Sequence, residues 1–369
     1  MPIYMDRHDV SGVVTAEDVA QIHQEDLKIQ SQFGCRGLTY WFDDKRKTAF
    51  CLIEAPDPQA IRDMHDRAHG QVPHSVIEVD PGIVESFLGR LEDPEKTQNT
   101  ELNIINDPAF RTIMVIGLQR LPLTQVDASG FKSSLHNYNN NILKLLDVYE
   151  GTPVKQTDNH FLVSFKSVSN AVHAAQKIQL LFKDFRKDVN NNAILLRIGL
   201  GAGVPVTQKQ LIFEDTIKIA ERMCLIVKGE IIISSEVKEL YNSENLNALS
   251  EGENIIFLTQ SDEQFITRLM DYTESNWSNT NLQVDDLCKP VATSKSQLYR
   301  KIISLTGKSP NTFIRDYRLN EALTLLNKNT HNVSEIAFET GFSSPSYFSK
   351  CFQKRYGQLP SDYLPARVG

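Results

Sequence analysis

Ile336-Ala337-Phe338-Glu339-Thr340-Gly341-Phe342-Ser343-Ser344-Pro345-Ser346-Tyr347-Phe348-Ser349-Lys350-Cys351-Phe352 reads as two short helices joined by a tight turn. Ile336 and Ala337 begin an apolar stripe. Gly341 stands where a sharp interhelical turn favours a residue without Cβ. Ser344 is a natural N-cap, and Pro345 follows at the first helical position, where a missing N–H costs nothing. Phe348 and Phe352, four apart, bury together while Lys350 and Lys354 take another face. Gly357 then ends the helix.

The same unit occurs earlier in the chain. It runs from Asp286-Leu287-Cys288 through Ser294-Lys295-Ser296-Gln297-Leu298-Tyr299-Arg300-Lys301-Ile302 to Gly307-Lys308-Ser309-Pro310. Arg300 pairs with Lys350, Ile302 with Phe352, Gly307 with Gly357, Pro310 with Pro360 and Phe313 with Tyr363, all at one offset. Ser294 with Gln297 makes a capping box, and Leu298 and Ile302 are the expected buried pair. Between the copies, Asn311 to Asn327 reads as one helix about 25 Å long.

Across residues 263–366 this pattern resembles the DNA-binding domain of the AraC family of transcription regulators. The resemblance implies two recognition helices held in successive major grooves, which recur about every 34 Å, so that one chain reads one asymmetric site of double-stranded DNA. Carried over position by position, Lys295, Ser296, Tyr299 and Arg300 form the first reading set. Ser344, Ser346, Tyr347, Ser349 and Lys350 form the second. Arg300 is the candidate for bidentate contact with guanine. The first copy departs from the family pattern at Cys288 (usually alanine), Pro290 and Ala292 (usually the turn glycine). The alternative is a helical protein-interaction repeat with a merely solvated polar face. Charge favours DNA: the net is +3 from Glu263 onward and −10 before it.

The chain has 369 residues, 41% hydrophobic and 23% charged, enough for two or three domains that each bury a core. No apolar run approaches the ~20 residues of a membrane span, and a strand-like segment follows Met1 directly, so no membrane association is expected. Five scattered cysteines without a CxxC suggest a reduced, cytoplasmic protein.

Residues 1–91 read as βαββαβ: strand 3–8, helix 15–33, hairpin 38–42 and 48–54, helix 58–70, strand 75–80. That order predicts a ferredoxin-like sandwich. Five of the nine histidines lie here, at His8, His23, His65, His69 and His74. His65 and His69 are four apart and share a helix face, as two ligands of one metal would, and Cys51 could add a thiolate. With His8 they make a candidate site for nickel, with zinc or copper as alternatives. Met1-Pro2-Ile3-Tyr4, Tyr40-Trp41 and Phe50-Cys51-Leu52-Ile53-Glu54-Ala55-Pro56-Asp57 also resemble a family of small nickel-binding ferredoxin-like proteins. The alternatives are a buried Cys51 among surface histidines, or an open sheet face with Tyr4, Trp41 and Phe50 used for dimerisation.

Residues 92–109 read as a polar linker, and residues 110–260 as a second α/β unit. Val154-Lys155-Gln156-Thr157, Phe161-Leu162-Val163-Ser164-Phe165, Arg197-Ile198-Gly199-Leu200-Gly201-Ala202-Gly203 and Ile219-Ala220-Glu221-Arg222-Met223-Cys224 resemble the class III nucleotide cyclases. That family uses two aspartates to hold two catalytic metals, and this chain has Gly117 and Asn159 in their places. The expectation is a degenerate cyclase-like domain that is not an enzyme, needs no nucleotide cofactor and favours a homodimer. Lys155 and Arg222 remain as candidate ligand-binding residues. The whole reads as a multidomain α+β transcription regulator sensing a metal or small-molecule effector. The rival reading is a metal-dependent or nucleotide-binding enzyme fused to a DNA-binding module.

Overall fold

The computed structural model describes residues 1–94, 102–120, 128–189, 194–245, 255–328 and 331–363. The amino-terminal unit follows the βαββαβ order: β1 (Ile3–Asp9), α1 (Ala16–Ile29), β2 (Arg36–Asp43), β3 (Thr48–Glu54), α2 (Pro58–His69) and β4 (Ser75–Glu78). Its antiparallel sheet runs β2-β3-β1-β4. Local chemistry sets the ends. Thr15 and Asp18 close a capping box on α1, and Asp57 with Pro58 starts α2. Strand alternation sends Tyr4, Asp6, Cys51 and Ile53 to the helix side. It sends Met5, Trp41, Phe50 and Leu52 to the other face.

That second face is covered from within the chain. A further helix, α3 (Pro81–Leu88), absent from the sequence reading, packs there with Val84, Phe87 and Leu88. Its signal was local: Asp80 caps it, Pro81 opens it and Gly89 closes it. Arg111 is 1% exposed and donates to the carbonyls of Phe87 (2.9 Å), Leu88 (3.2 Å), Pro108 (2.6 Å) and Phe110 (2.9 Å). The cation thus sits at the negative end of α3 and ties it to the next domain. The described part of the linker also packs: Tyr40 Oη donates to the Asn103 carbonyl and accepts from the Ile105 amide.

The middle domain comprises β5 (Arg111–Arg120), α4 (Ala128–Val148), β6 (Gly151–Thr157), β7 (His160–Phe165), α5 (Val168–Asp188) and β8 (Ile194–Gly203). Then follow α6 (Glu214–Ile226), β9 (Ile231–Ile233), α7 (Ser235–Glu244) and β10 (Ile255–Phe257). The sheet order is β10-β9-β8-β5-β7-β6. Within it, β5 to β8 repeat the connectivity and pairing of β1 to β4, so two ferredoxin-like sheets occur in tandem, the second extended by parallel β9 and β10. The glycines of 199–203 serve close packing: a Cβ at Gly199 would run into the Ala220 carbonyl, and one at Gly201 would stand 3.2 Å from the Thr216 carbonyl. They let α6 lie directly on β8.

The carboxyl-terminal helices are α8 (Gln260–Asn276), α9 (Lys295–Thr306), α10 (Pro310–Lys328), α11 (Val333–Glu339), α12 (Pro345–Tyr356) and α13 (Pro360–Tyr363). The expected domain end at residue 366 lies outside the described residues. One continuous buried cluster runs from Met5 and Trp41 through Phe87, Val115 and Met223 to Leu269, Ile302 and Ile314. The first helix-turn-helix therefore shares a core with the domains before it, whereas α11 and α12 have their own cluster with α10. No helix among the described residues is long and apolar enough to cross a membrane.

Candidate nucleic-acid interface and metal pocket

Both helix-turn-helix copies form, with differences in the turn and in the leading helix. In the second, Gly341 has φ +77° and its amide donates to the Phe338 carbonyl, while Phe342 donates to Ala337. In the first, Ala292 takes the same left-handed conformation at φ +51°, and the matching bonds run from Ala292 to Lys289 and from Thr293 to Cys288. The structure thus uses alanine at the turn glycine's place, as the sequence comparison assigned. One residue fewer then separates the turn from its N-cap Ser294 than separates Gly341 from Ser344. The leading helix of the first copy is only a 3₁₀ turn, Val284–Leu287, ahead of Pro290.

The two recognition helices, α9 and α12, present most of the sequence-derived reading set to solvent. Lys295, Ser296, Arg300, Ser346, Tyr347 and Lys350 are exposed; Tyr299, Ser344 and Ser349 are half-buried. Tyr299 leans on the shared core, and Ser344 Oγ is engaged as N-cap, accepting from the Tyr347 amide at 3.3 Å. Lys295 pairs with Asp285 at 2.8 Å. Arg300 lines a cleft of about 590 Å³ between α8 and α9, and Arg268 of α8, a cation that sequence reading did not select, lines the same cleft. Asp316 and Asn320 of α10 hold the far end of α12. Asp316 pairs with Lys308 at 2.7 Å and also with Arg355, and Asn320 accepts from Arg355 and Tyr356 at 3.0 Å.

The candidate metal residues also converge. His8, Cys51, His65 and His69 line one small cavity of about 20 Å³ on the helix side of the first sheet, with His23 and Asp26. Two carboxylates missed in the sequence complete it. Asp6, Asp26 and the four candidates form two triads, Asp6–His8–Cys51 and Asp26–His65–His69, with donor atoms within 4.8 Å of one another in each. Asp6 was legible in principle, two residues before His8 on the same strand face. Asp26 is brought in only by packing of α1 on α2.

His65 bridges the triads. Its Nε2 lies 2.8 Å from Asp6 and its Nδ1 3.1 Å from Asp26, and His69 Nε2 lies 3.2 Å from Asp26. Burial opposes its charge, but the hydrogen bonds to Asp26 and Asp6 prevail and push its pKa up to about 10. Burial likewise opposes ionisation of Asp6, yet His8 and His65 hold its carboxyl well below the usual range. Without a metal, the imidazolium of His65 supplies the positive charge that the two carboxylates require. Burial, then Asp6, pushes the Cys51 thiol well up. Imidazole nitrogens, carboxylate oxygens and a thiol within this spacing suit a borderline divalent cation such as nickel or zinc, which would displace the protons.

The two candidate ligand residues of the middle domain do not form a site. Arg222 is 5% exposed and spans from α6 to α8, reaching Glu274 at 2.7 and 3.1 Å and Asp271 at 2.6 Å. Its charge is satisfied by acidic residues, so it is not available to grip a phosphate. Lys155 lies apart, on the exposed edge of another cleft. Gly117 and Asn159, by contrast, sit side by side in a pocket of about 380 Å³.

The family model "Helix-turn-helix domain" matches residues 287–366, and "Nickel responsive protein SCO4226-like" matches residues 4–79. Over 108 residues the chain is 38% identical to Histidine kinase P4 of Formosa agariphila, covering 29% of this chain and 8% of that one. It is 32% identical over 98 residues to the HTH-type transcriptional regulator MtrA of Neisseria gonorrhoeae, covering 27% and 31%. The crystal structure of SCO4226 from Streptomyces coelicolor A3(2) is 30% identical over 21% of this chain and 94% of that one, with a TM-score of 0.20. The chain spans only 8% to 38% of the length of the curated relatives it matches. It carries a carboxyl-terminal helix-turn-helix domain of AraC type and an amino-terminal domain like SCO4226.

Proposed function

We propose that this chain is an AraC-type transcription regulator that reads asymmetric double-stranded DNA with α9 and α12 and responds to a divalent metal held in the amino-terminal domain. The observation that carries the reading is the pair of capped helices, each with an exposed polar set, on the two halves of one helix-turn-helix domain. Arg300 reads guanine, Lys350 and the serines contact bases or phosphates, and Arg268 adds a phosphate contact beside Arg300. Nickel is the favoured signal, held by ligands drawn from His8, Cys51, His65 and His69 with Asp6 and Asp26; likeness to a nickel-responsive domain supports that choice over zinc or copper. A bound metal supplies fixed positive charge between the carboxylates in place of the His65 proton.

The middle domain acts as a non-enzymatic, cyclase-like support. Gly117 and Asn159 give its pocket no carboxylate pair for two metals. Leu195 and Leu225, 38% and 45% exposed, lie beside that pocket and favour pairing of two chains there. The test is fluorescence anisotropy with DNA selected from random sequence, with and without nickel, and sedimentation for the dimer. A footprint lost in Arg300→Ala and Lys350→Ala supports the reading; binding indifferent to sequence overturns it. Cyclic product formed from ATP or GTP with a divalent metal would overturn the non-enzymatic assignment.

A further inference from the structure

Between the amino-terminal and middle domains lies a cleft of about 450 Å³, distinct from the metal cavity and within the size range of small-molecule sites. Its floor is apolar, formed by Val79, Phe87, Val154, Leu162, Ile212 and Ile217. Its lips expose hydrocarbon to water: Ile83 of α3 is 38% exposed and Leu211, ahead of α6, is 65% exposed. Two large exposed aliphatic side chains at the mouth of an apolar hollow have no role in the fold's core and suit contact with a ligand body.

The rim has a sign. Lys218 is neutralised by Glu214 at 2.6 Å. That leaves Glu78, Asp80 and Glu221 against Lys155 alone, and none of these three carboxylates has an ion pair within 4 Å among the described residues. Asp80 caps α3 through one oxygen, accepting from the Ile83 amide at 3.0 Å. An acidic rim over an apolar floor complements a molecule with the opposite arrangement.

We propose that this cleft binds a small organic cation, an aryl- or alkylammonium whose hydrocarbon body enters between Ile83 and Leu211 and whose ammonium faces Glu221 and Glu78. Helix α6 connects the site to the DNA-binding domain. Ile217, Lys218 and Glu221 line the cleft, and Arg222, the next residue, is the one that clasps α8. Occupancy therefore bears on the helix against which α9 packs, a regulatory role that rests on the DNA-binding function proposed above; the binding itself does not.

Calorimetry on the intact chain with three probes of one shape tests this: 2-phenylethylammonium, neutral 2-phenylethanol and anionic 3-phenylpropionate. The ammonium should bind roughly tenfold more tightly than the alcohol and the carboxylate least. Glu221→Gln should remove most of that preference while leaving the alcohol unchanged, and Leu211→Ala should weaken both. Absence of saturable binding, equal binding of cation and alcohol, or binding indifferent to both substitutions overturns the proposal. The anisotropy assay is then repeated with the ammonium. If the probe binds the cleft but the chain shows no sequence-selective DNA binding under any condition, the site stands and the DNA-binding reading falls.

Discussion

Arg222→Ala removes the clasp between the middle domain and the helix-turn-helix domain, and its cost follows from the geometry. The guanidinium makes three contacts with carboxylates, two to Glu274 and one to Asp271, beside a longer one to the Thr267 carbonyl. At about 1.5–3 kcal/mol each, fully buried partners would set the loss near 4.5–9 kcal/mol. The partners are not buried: the side chains of Asp271 and Glu274 are 62% and 39% exposed, so water takes over the freed carboxylates. The arginine itself is enclosed, so the pair is worth more than a surface bridge, and the expected loss is about 2–3 kcal/mol. Trp277 at the C-cap of α8 is the natural reporter, and a Trp41→Phe background isolates its fluorescence, since the chain has two tryptophans. In urea the midpoint of the Trp277 transition should fall with an unchanged slope. Glu274→Ala and the double variant complete a cycle with an expected coupling of about 1–2 kcal/mol. A loss below about 0.5 kcal/mol, the scale of ordinary surface changes, or strict additivity would refute the clasp.

Other outcomes follow from the same geometry. Arg300→Ala or Lys350→Ala should cost about 1–3 kcal/mol of DNA binding and relax specificity at one position, whereas Arg268→Ala should weaken all sequences alike and reduce the salt dependence by about one phosphate contact, both read by anisotropy across salt. Gly341→Ala should destabilise the second helix-turn-helix by about 1–3 kcal/mol in thermal melts, because φ is +77° and the new Cβ would stand 2.8 Å from the Trp277 carbonyl. Ala292→Gly should be neutral or stabilising, since glycine relieves the left-handed strain there. For the metal, His65→Ala or Cys51→Ser should abolish stoichiometric nickel uptake by chelator-stripped protein; uptake unchanged in both would place the metal elsewhere.

Local chemistry decided the elements of this chain, and the sequence shows it. Serine and aspartate caps, proline at the first helical position and glycine at the ends mark α2, α9 and α12, and the internal repeat marks two helix-turn-helix units. Ala292 was assigned to the turn by the family resemblance, although the repeat's single offset pairs Gly341 with Val291. His65 and His69 were predictable as neighbours because helical spacing alone puts them on one face. What needed the tertiary structure was everything set by packing between elements distant in sequence. Asp26 joins the histidines only because α1 docks on α2, and Arg222, which sequence offered as a ligand residue, meets Asp271 and Glu274 only because α6 lies against α8. The open face of the first sheet looks free in a strand pattern, since alternation says which side chains share a face but not what covers it. Here α3 and the middle domain cover it, and they join the amino-terminal domain and α9 in one core.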